Sequence, residues 1–177
     1  MFEPSTQNVS SVDAPCSPTQ QAAQEPFMPV LRELVRAYQA FSCYDEAHIR
    51  QLNLTCPQFD VICTLGNTPG MTMGQVAEKT LVTKGTLTGI IDRLEKKGLV
   101  QRIVPPENRR CFIIRLTPEG EQVFQEVFPK HIRYLKQRFG QLNPEELQQI
   151  HQGLCQLRDL FQDKSEGVTA IDDCQLL

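Results

Sequence analysis

No stretch of this 177-residue chain approaches the ~20 consecutive apolar residues that a bilayer-spanning helix needs, so no membrane partner is expected. The N-terminus has no basic segment followed by an apolar one, which excludes the pattern of a secretory leader. The cysteines number seven, an odd count, and none form a CxxC pair. That usage fits a reducing cytoplasm better than a disulfide framework. The three histidines, His48, His131 and His151, share no short ligand spacing with each other or with a cysteine pair, so no metal is expected. Gly-rich phosphate loops, nucleophile elbows and metalloprotease motifs are also missing. An enzyme would have no residues to work with, and no cofactor is expected.

What is there is globular: 40% apolar and 22% charged residues, enough for one ordinary domain with or without tails. The net charge of −3 argues at first against a nucleic-acid partner. Its distribution argues the other way. Between Lys79 and Arg110 stand eight cations and three anions, a net +5, which leaves −8 for the remainder. A basic head on an acidic body suits local neutralisation of phosphates, although a merely solvated charged face has the same composition.

The chain is organised around that head. Leu87, Ile90, Ile91 and Leu94 recur at helical spacing, so one face of a helix is apolar. Thr83 precedes it as a cap, its hydroxyl placed to accept a backbone N–H, and Gly98 follows where a left-handed stop favours glycine. Val100 to Ile103 and Cys111 to Leu116 are β-prone, with Pro105, Pro106 and Asn108 as turn material between them. The opposite helix face carries Lys84, Thr86, Thr88 and Arg93, suited to a major groove. Upstream, Thr72 can cap a short helix containing Val76 and Ala77, and Leu81 to Thr83 connects the two. Two short helices and a ribbon make a winged helix-turn-helix. An ordinary helical hairpin is the alternative this pattern leaves open.

The series Thr83-Lys84-Gly85-Thr86-Leu87-Thr88, Ile91-Asp92-Arg93-Leu94-Glu95-Lys96-Lys97-Gly98-Leu99-Val100, Arg109-Arg110 and Leu116-Thr117-Pro118-Glu119-Gly120 resembles the MarR family of transcription regulators. Leu54-Thr55-Cys56-Pro57-Gln58-Phe59 strengthens the resemblance, which spans roughly Phe27 to Phe161. It implies a homodimer on palindromic operator DNA, with the Lys84–Lys97 helix in the major groove and the wing along the minor groove. It also implies a ligand-responsive repressor, with activation equally open to these residues.

The expected fold is mainly α with a small β wing: a winged helix-turn-helix plus a long-helix dimerisation region. Residues 1–25 read as a disordered extension, being polar and Pro-rich. Residues 26–53 and 118–163 read as the helical dimerisation region, 54–117 as the winged domain and 164–177 as a tail. The first long helix has the stripe Phe27, Val30, Leu31, Leu34, Val35, Tyr38, Phe41 and ends near His48. Thr55 caps the next. After the wing, Thr117-Pro118 opens a helix whose interior Pro129 predicts a kink, and Gly140 ends it. Asn143 and Glu146 form a capping box for the last helix. The surplus apolar stripes suit an isologous dimer.

Thr83, Lys84, Gly85, Thr86, Thr88 and Arg93 are the expected contacts of the helix with DNA, and Arg109 and Arg110 those of the wing. Gln58 and Thr72 are weaker candidates for phosphate contacts at helix N-termini. Gly85 and Gly89 weaken the helix, either for close approach of its backbone to DNA or for packing. Many relatives carry Arg where this chain has Gly89. The resemblance also implies a small aromatic or anionic effector near Tyr38, Phe41, Tyr44, His48, Phe59 and Phe128, with His131 beside them, although each of these also suits ordinary core. In a redox-responsive branch of the family a first-helix cysteine senses oxidants; that position here is Leu31, which leaves Cys43 as the remaining thiol candidate. Relatives usually place Asp before the wing arginines, where this chain has Asn108. The missing carboxylate predicts a looser wing, to be checked by measuring wing order in the free protein; a rigid wing would contradict it.

Overall fold

The computed structural model describes residues 17–80, 82–104 and 112–162, without the side chain of Lys84. The chain divides into two compact units, Met1–Ser42 and Cys43–Leu177.

In the first unit, α1 (Pro18–Ala23) falls inside the segment expected to lack structure. None of its residues is buried, and its support is local. The Ser17 hydroxyl accepts from Gln20 N, the Gln20 carboxamide accepts from Ser17 N, and proline occupies the first turn. The long helix α2 (Met28–Gln51) begins here and continues across the boundary, three residues beyond His48. Its stripe residues Phe27, Val30, Leu31, Val35, Tyr38 and Phe41 are all exposed.

The second unit holds the core. The helix α3 (Cys56–Leu65) is nearly all inward-facing, with Phe59, Val61, Ile62 and Leu65 buried. Next come β1 (Met71–Thr72) and α4 (Met73–Lys79). Thr72 caps α4 through Gln75, and its hydroxyl and N–H are both used in that box. Four residues, Thr80 to Thr83, then lead to α5 (Lys84–Lys96). Leu87, Ile90, Ile91 and Leu94 are all buried, as their spacing predicts. Thr83 is the N-cap residue, but its hydroxyl makes no bond to the helix backbone. It lies 3.0 Å from the Thr86 hydroxyl instead, a correction to the expected cap.

The strands β2 (Val100–Ile103) and β3 (Ile113–Leu116) pair antiparallel, Val100 opposite Leu116 and Ile103 opposite Ile113. The ribbon has a third member that the sequence did not announce. Met71 and Thr72 pair with Ile114 and Ile113, giving the order β1-β3-β2. Two residues are too short for alternation to reveal a strand. The sheet buries Val100 and Ile114 against α5, α3 and Val76 of α4.

The helix α6 (Pro118–Phe139) runs through Pro129, and α7 (Pro144–Phe161) follows with the Asn143–Glu146 capping box in place. Gly140 caps α6 in right-handed geometry. No described residue of α7 is buried, yet Leu147, Ile150, Leu154, Leu160 and Phe161 lie along it.

The joint between α5 and α6 fixes the relation of these layers. Gly98 is left-handed, φ +73°, and the turn closes through Gly98 N to Glu95 O and Leu99 N to Leu94 O. Thr117 then donates from N to Leu99 O at 3.1 Å and from its hydroxyl to Gly98 O, while that hydroxyl accepts from Gly120 N. Gly120 packs so closely that a Cβ there would stand 1.9 Å from Leu99 O. Gly120→Ala is therefore expected to destabilise the protein by about 1–3 kcal/mol or more, as overpacking against a backbone atom does. Urea denaturation measures it; an unchanged midpoint would show that this joint yields.

Candidate nucleic-acid interface

The exposed face of α5 follows from the burial of the other. With Leu87, Ile90, Ile91 and Leu94 turned inward, Gly85, Thr86, Thr88 and Arg93 stand in solvent, and Gly89 is half-buried. Thr83 is exposed at the helix start, hydroxyl to hydroxyl with Thr86. Lys84 opens the helix, its side chain outside the described residues, as are Arg109, Arg110 and Asn108 with the expectations placed on them. Among the described residues a Cβ on Gly85 would meet nothing within 4 Å, and one on Gly89 only the Arg93 guanidinium at 3.8 Å. Packing against the described residues thus requires neither glycine.

Not every cation of the basic head faces outward. Arg102, at the base of the wing on β2, spans back to α5: one guanidinium nitrogen is 2.5 Å from the Asp92 carboxylate and another bonds Glu95. Asp92 and Glu95 are three residues apart on one helix face, so a single planar fork reaches both. That i, i+3 pair was the sequence signal for this brace, and the basic-head count overlooked it. Gln58, expected near phosphate, is instead buried; its carboxamide oxygen accepts from Thr55 N at 3.3 Å and from Lys97 Nζ at 3.4 Å.

A second cluster joins the end of α2 to α6. His131 is buried, with Nδ1 3.0 Å from His48 Nδ1 and Nε2 2.9 Å from an Asp45 oxygen. Tyr134 stacks between Tyr44 (centroids 4.3 Å apart) and His48 (4.2 Å), and the Tyr44 hydroxyl donates to Tyr134 O. Phe59 tilts against His131 at 4.7 Å, and the Arg138 guanidinium lies over Tyr44. Of the expected effector residues this gathers Tyr44, His48 and Phe59. Phe128 packs instead on Phe124, and Tyr38 and Phe41 are exposed in the first unit. Tyr134 was missed, although it follows His131 by three on the same helix face.

Among the described residues no group of three or more His, Cys, Asp or Glu is placed to hold a metal, and no helix is long and apolar enough to cross a membrane. Cys43, Cys56, Cys63 and Cys155 are free thiols. Burial, then Asp45 and Glu46, push Cys56 up. Burial, then Asp60 and Asp45, push Cys63 up to about 12. Neither carries the thiolate that an oxidant sensor needs.

The MarR family model matches residues 54–112, the segment from the start of α3 to the residue before β3. The uncharacterized HTH-type transcriptional regulator YsmB of Bacillus subtilis (strain 168) is 36% identical over 110 residues, covering 62% of this chain and 75% of that one. The chain belongs to the MarR family. Also similar is the homoprotocatechuate degradative operon repressor of Escherichia coli, 29% identical, with 66% of this chain and 79% of that one covered. Among solved structures, BpsR of Bordetella bronchiseptica, whose DNA binding is regulated by 6-hydroxynicotinic acid, is 29% identical with a TM-score of 0.66, covering 77% of this chain and 95% of that one. The protein is accordingly a DNA-binding transcriptional regulator of the winged-helix type and not an enzyme.

In this MarR-family winged domain the Arg102 brace has a measurable share. Arg102→Met is expected to cost the fold only about 1 kcal/mol or less, because both carboxylates are partly exposed. DNA affinity should fall by more than stability does, since the wing loses its tie to α5 and two carboxylates lose their counter-charge. Urea denaturation and fluorescence anisotropy compare the two; equal losses would reduce the brace to a stability element.

Proposed function

We propose that the chain is a cytoplasmic repressor that binds a palindromic operator as a homodimer and is released by a small aromatic or anionic effector. The observation that carries this reading is the division of α5: one face wholly in the core, the other small, polar and cationic with two unrequired glycines. Thr83, Lys84, Gly85, Thr86, Thr88 and Arg93 meet bases and phosphates in the major groove, and Arg109 and Arg110 serve the wing. Residues 54–117 form the DNA-binding domain, and 26–53 with 118–163 the dimerisation region; 1–25 and 164–177 are extensions. A second copy is the fitting cover for the bare apolar residues of α2 and α7, whose exposure as monomer surface exceeds what scattered apolar side chains explain. Two-fold symmetry then matches two half-sites about one helical turn apart.

The effector reading rests on Tyr44, His48 and Phe59 lying together, with Tyr38, Phe41 and Phe128 as further candidates, and on BpsR, a relative regulated by an aromatic acid. Release requires that the effector prefer the geometry that does not bind DNA.

The test is anisotropy of the reduced full-length protein on duplexes selected from random sequence, at several salt concentrations. Selective binding that weakens steeply with salt supports the reading; failure to bind any duplex overturns it. Gly85→Ala sharpens the test. In the free protein it should stabilise α5 by up to ~1 kcal/mol. On DNA it should weaken binding about tenfold, which is roughly 1.4 kcal/mol, through lost backbone approach. Unchanged affinity would remove Gly85 from the interface.

A further inference from the structure

The cluster at the end of α2 is built around a buried histidine. His131 is 4% exposed, yet both its ring nitrogens are engaged, Nε2 by Asp45 and Nδ1 by His48 Nδ1. A carboxylate only accepts, so His131 carries a hydrogen on Nε2. A bond between two Nδ1 atoms holds a single hydrogen. Two states satisfy that. With both rings neutral, His48 donates from Nδ1 to the lone pair of His131. With one proton added, the pair holds three ring hydrogens, one of them still between the two Nδ1 atoms, and the bond survives. A second added proton sets two N–H hydrogens and two positive charges against each other across 3.0 Å, and the bond is lost.

The pair joins elements that matter to the DNA-reading unit. His48 and Asp45 belong to α2 and His131 to α6, and Phe59 brings α3 against them. The start of α6 is bonded to the turn that ends α5. Charged and titratable groups around the pair come from each element. On α2 they are Asp45, Glu46, Arg50 and Tyr44. On α6 they are Tyr134 and Arg138, the latter over the Tyr44 ring. On α3 they are Cys56, Cys63 and Asp60, with Asp45 raising both thiols. Burial first, then His131, lower His48 below its ordinary range, while Asp45 pulls it back. An unfolded chain takes that proton more readily, so the contribution of His48 to stability is full above about pH 6.5 and is lost as the pH falls further.

We propose that His48 and His131 form a proton-operated latch between α2 and α6, closed with at most one added proton and open with two, so that mild acid weakens DNA binding. The readout rests on the proposed function above, but the latch itself has an independent one. The sign is distinctive: protonation elsewhere adds positive charge and strengthens attraction to phosphate. Opening the latch frees the helices behind the reading unit, and binding must then order them.

The experiment uses the reduced full-length protein between about pH 8 and about pH 5.5, the range in which histidine changes charge. Ring-nitrogen NMR follows the histidines, and anisotropy follows affinity for the selected duplex. Acidification is expected to weaken binding about fivefold or more, the low end of ordinary coupling between sites, and to disturb the Tyr44 and Tyr134 rings as the second proton enters. His48→Asn keeps an amide near the position of Nδ1 but takes no proton, and should flatten the change to within about twofold, while His151→Asn on α7 should retain it. Constant or rising wild-type affinity in acid, or an undiminished change in His48→Asn, overturns the latch. So does a pair that becomes doubly cationic with both tyrosines undisturbed; this arm needs only the wild-type protein and decides the matter if the variant does not fold. If no duplex binds even at about pH 8, the proposed function fails, and the NMR arm alone decides the latch.

Discussion

The arrangement depends on the turn at Gly98 and Leu99. It ends α5, starts the wing, and supplies the two carbonyls that hold the beginning of α6. Three residues make it possible. Gly98 supplies a left-handed backbone, Thr117 uses one hydroxyl as donor and acceptor, and Gly120 withholds a side chain where Leu99 O needs the space. The joint ties the start of α6 to the end of α5 through backbone carbonyls and a close glycine contact.

Charge follows the same economy. Arg102 counts toward the basic head in composition, but its guanidinium is committed to Asp92 and Glu95. The triad holds the wing to the helix, while Arg93 stands exposed outside it. Fixing the angle between helix and wing before DNA arrives reduces the ordering that binding must impose.

Much of this was legible. The buried face of α5 was read from four residues at helical spacing, and Thr117, Asn143 and Gly98 announced their roles because capping and left-handed turns favour few residue types. Local rules of that kind operate within a turn or two of chain. What escaped depends on distance in sequence. Met71 and Thr72 become a strand only because β3 lies beside them, over forty residues later. Arg102 becomes a brace because the ribbon folds back on the helix. Gln58 looked like a helix-terminal phosphate contact, and burial made it an internal partner of Lys97. For the candidate site, the family resemblance singled out Tyr44, His48 and Phe59 along with Tyr38, Phe41 and Phe128. Only packing brought in Tyr134 and Asp45, and only packing separated Phe128 from them.

The stacked rings have an optical consequence. The chain has no tryptophan and three tyrosines. Two of those three, Tyr44 and Tyr134, lie face to face beside the histidine pair. Most of the protein's intrinsic near-ultraviolet signal therefore originates at the junction of α2 and α6. Any event that separates these helices carries its own unlabelled reporter, written into the sequence by the absence of a brighter chromophore elsewhere.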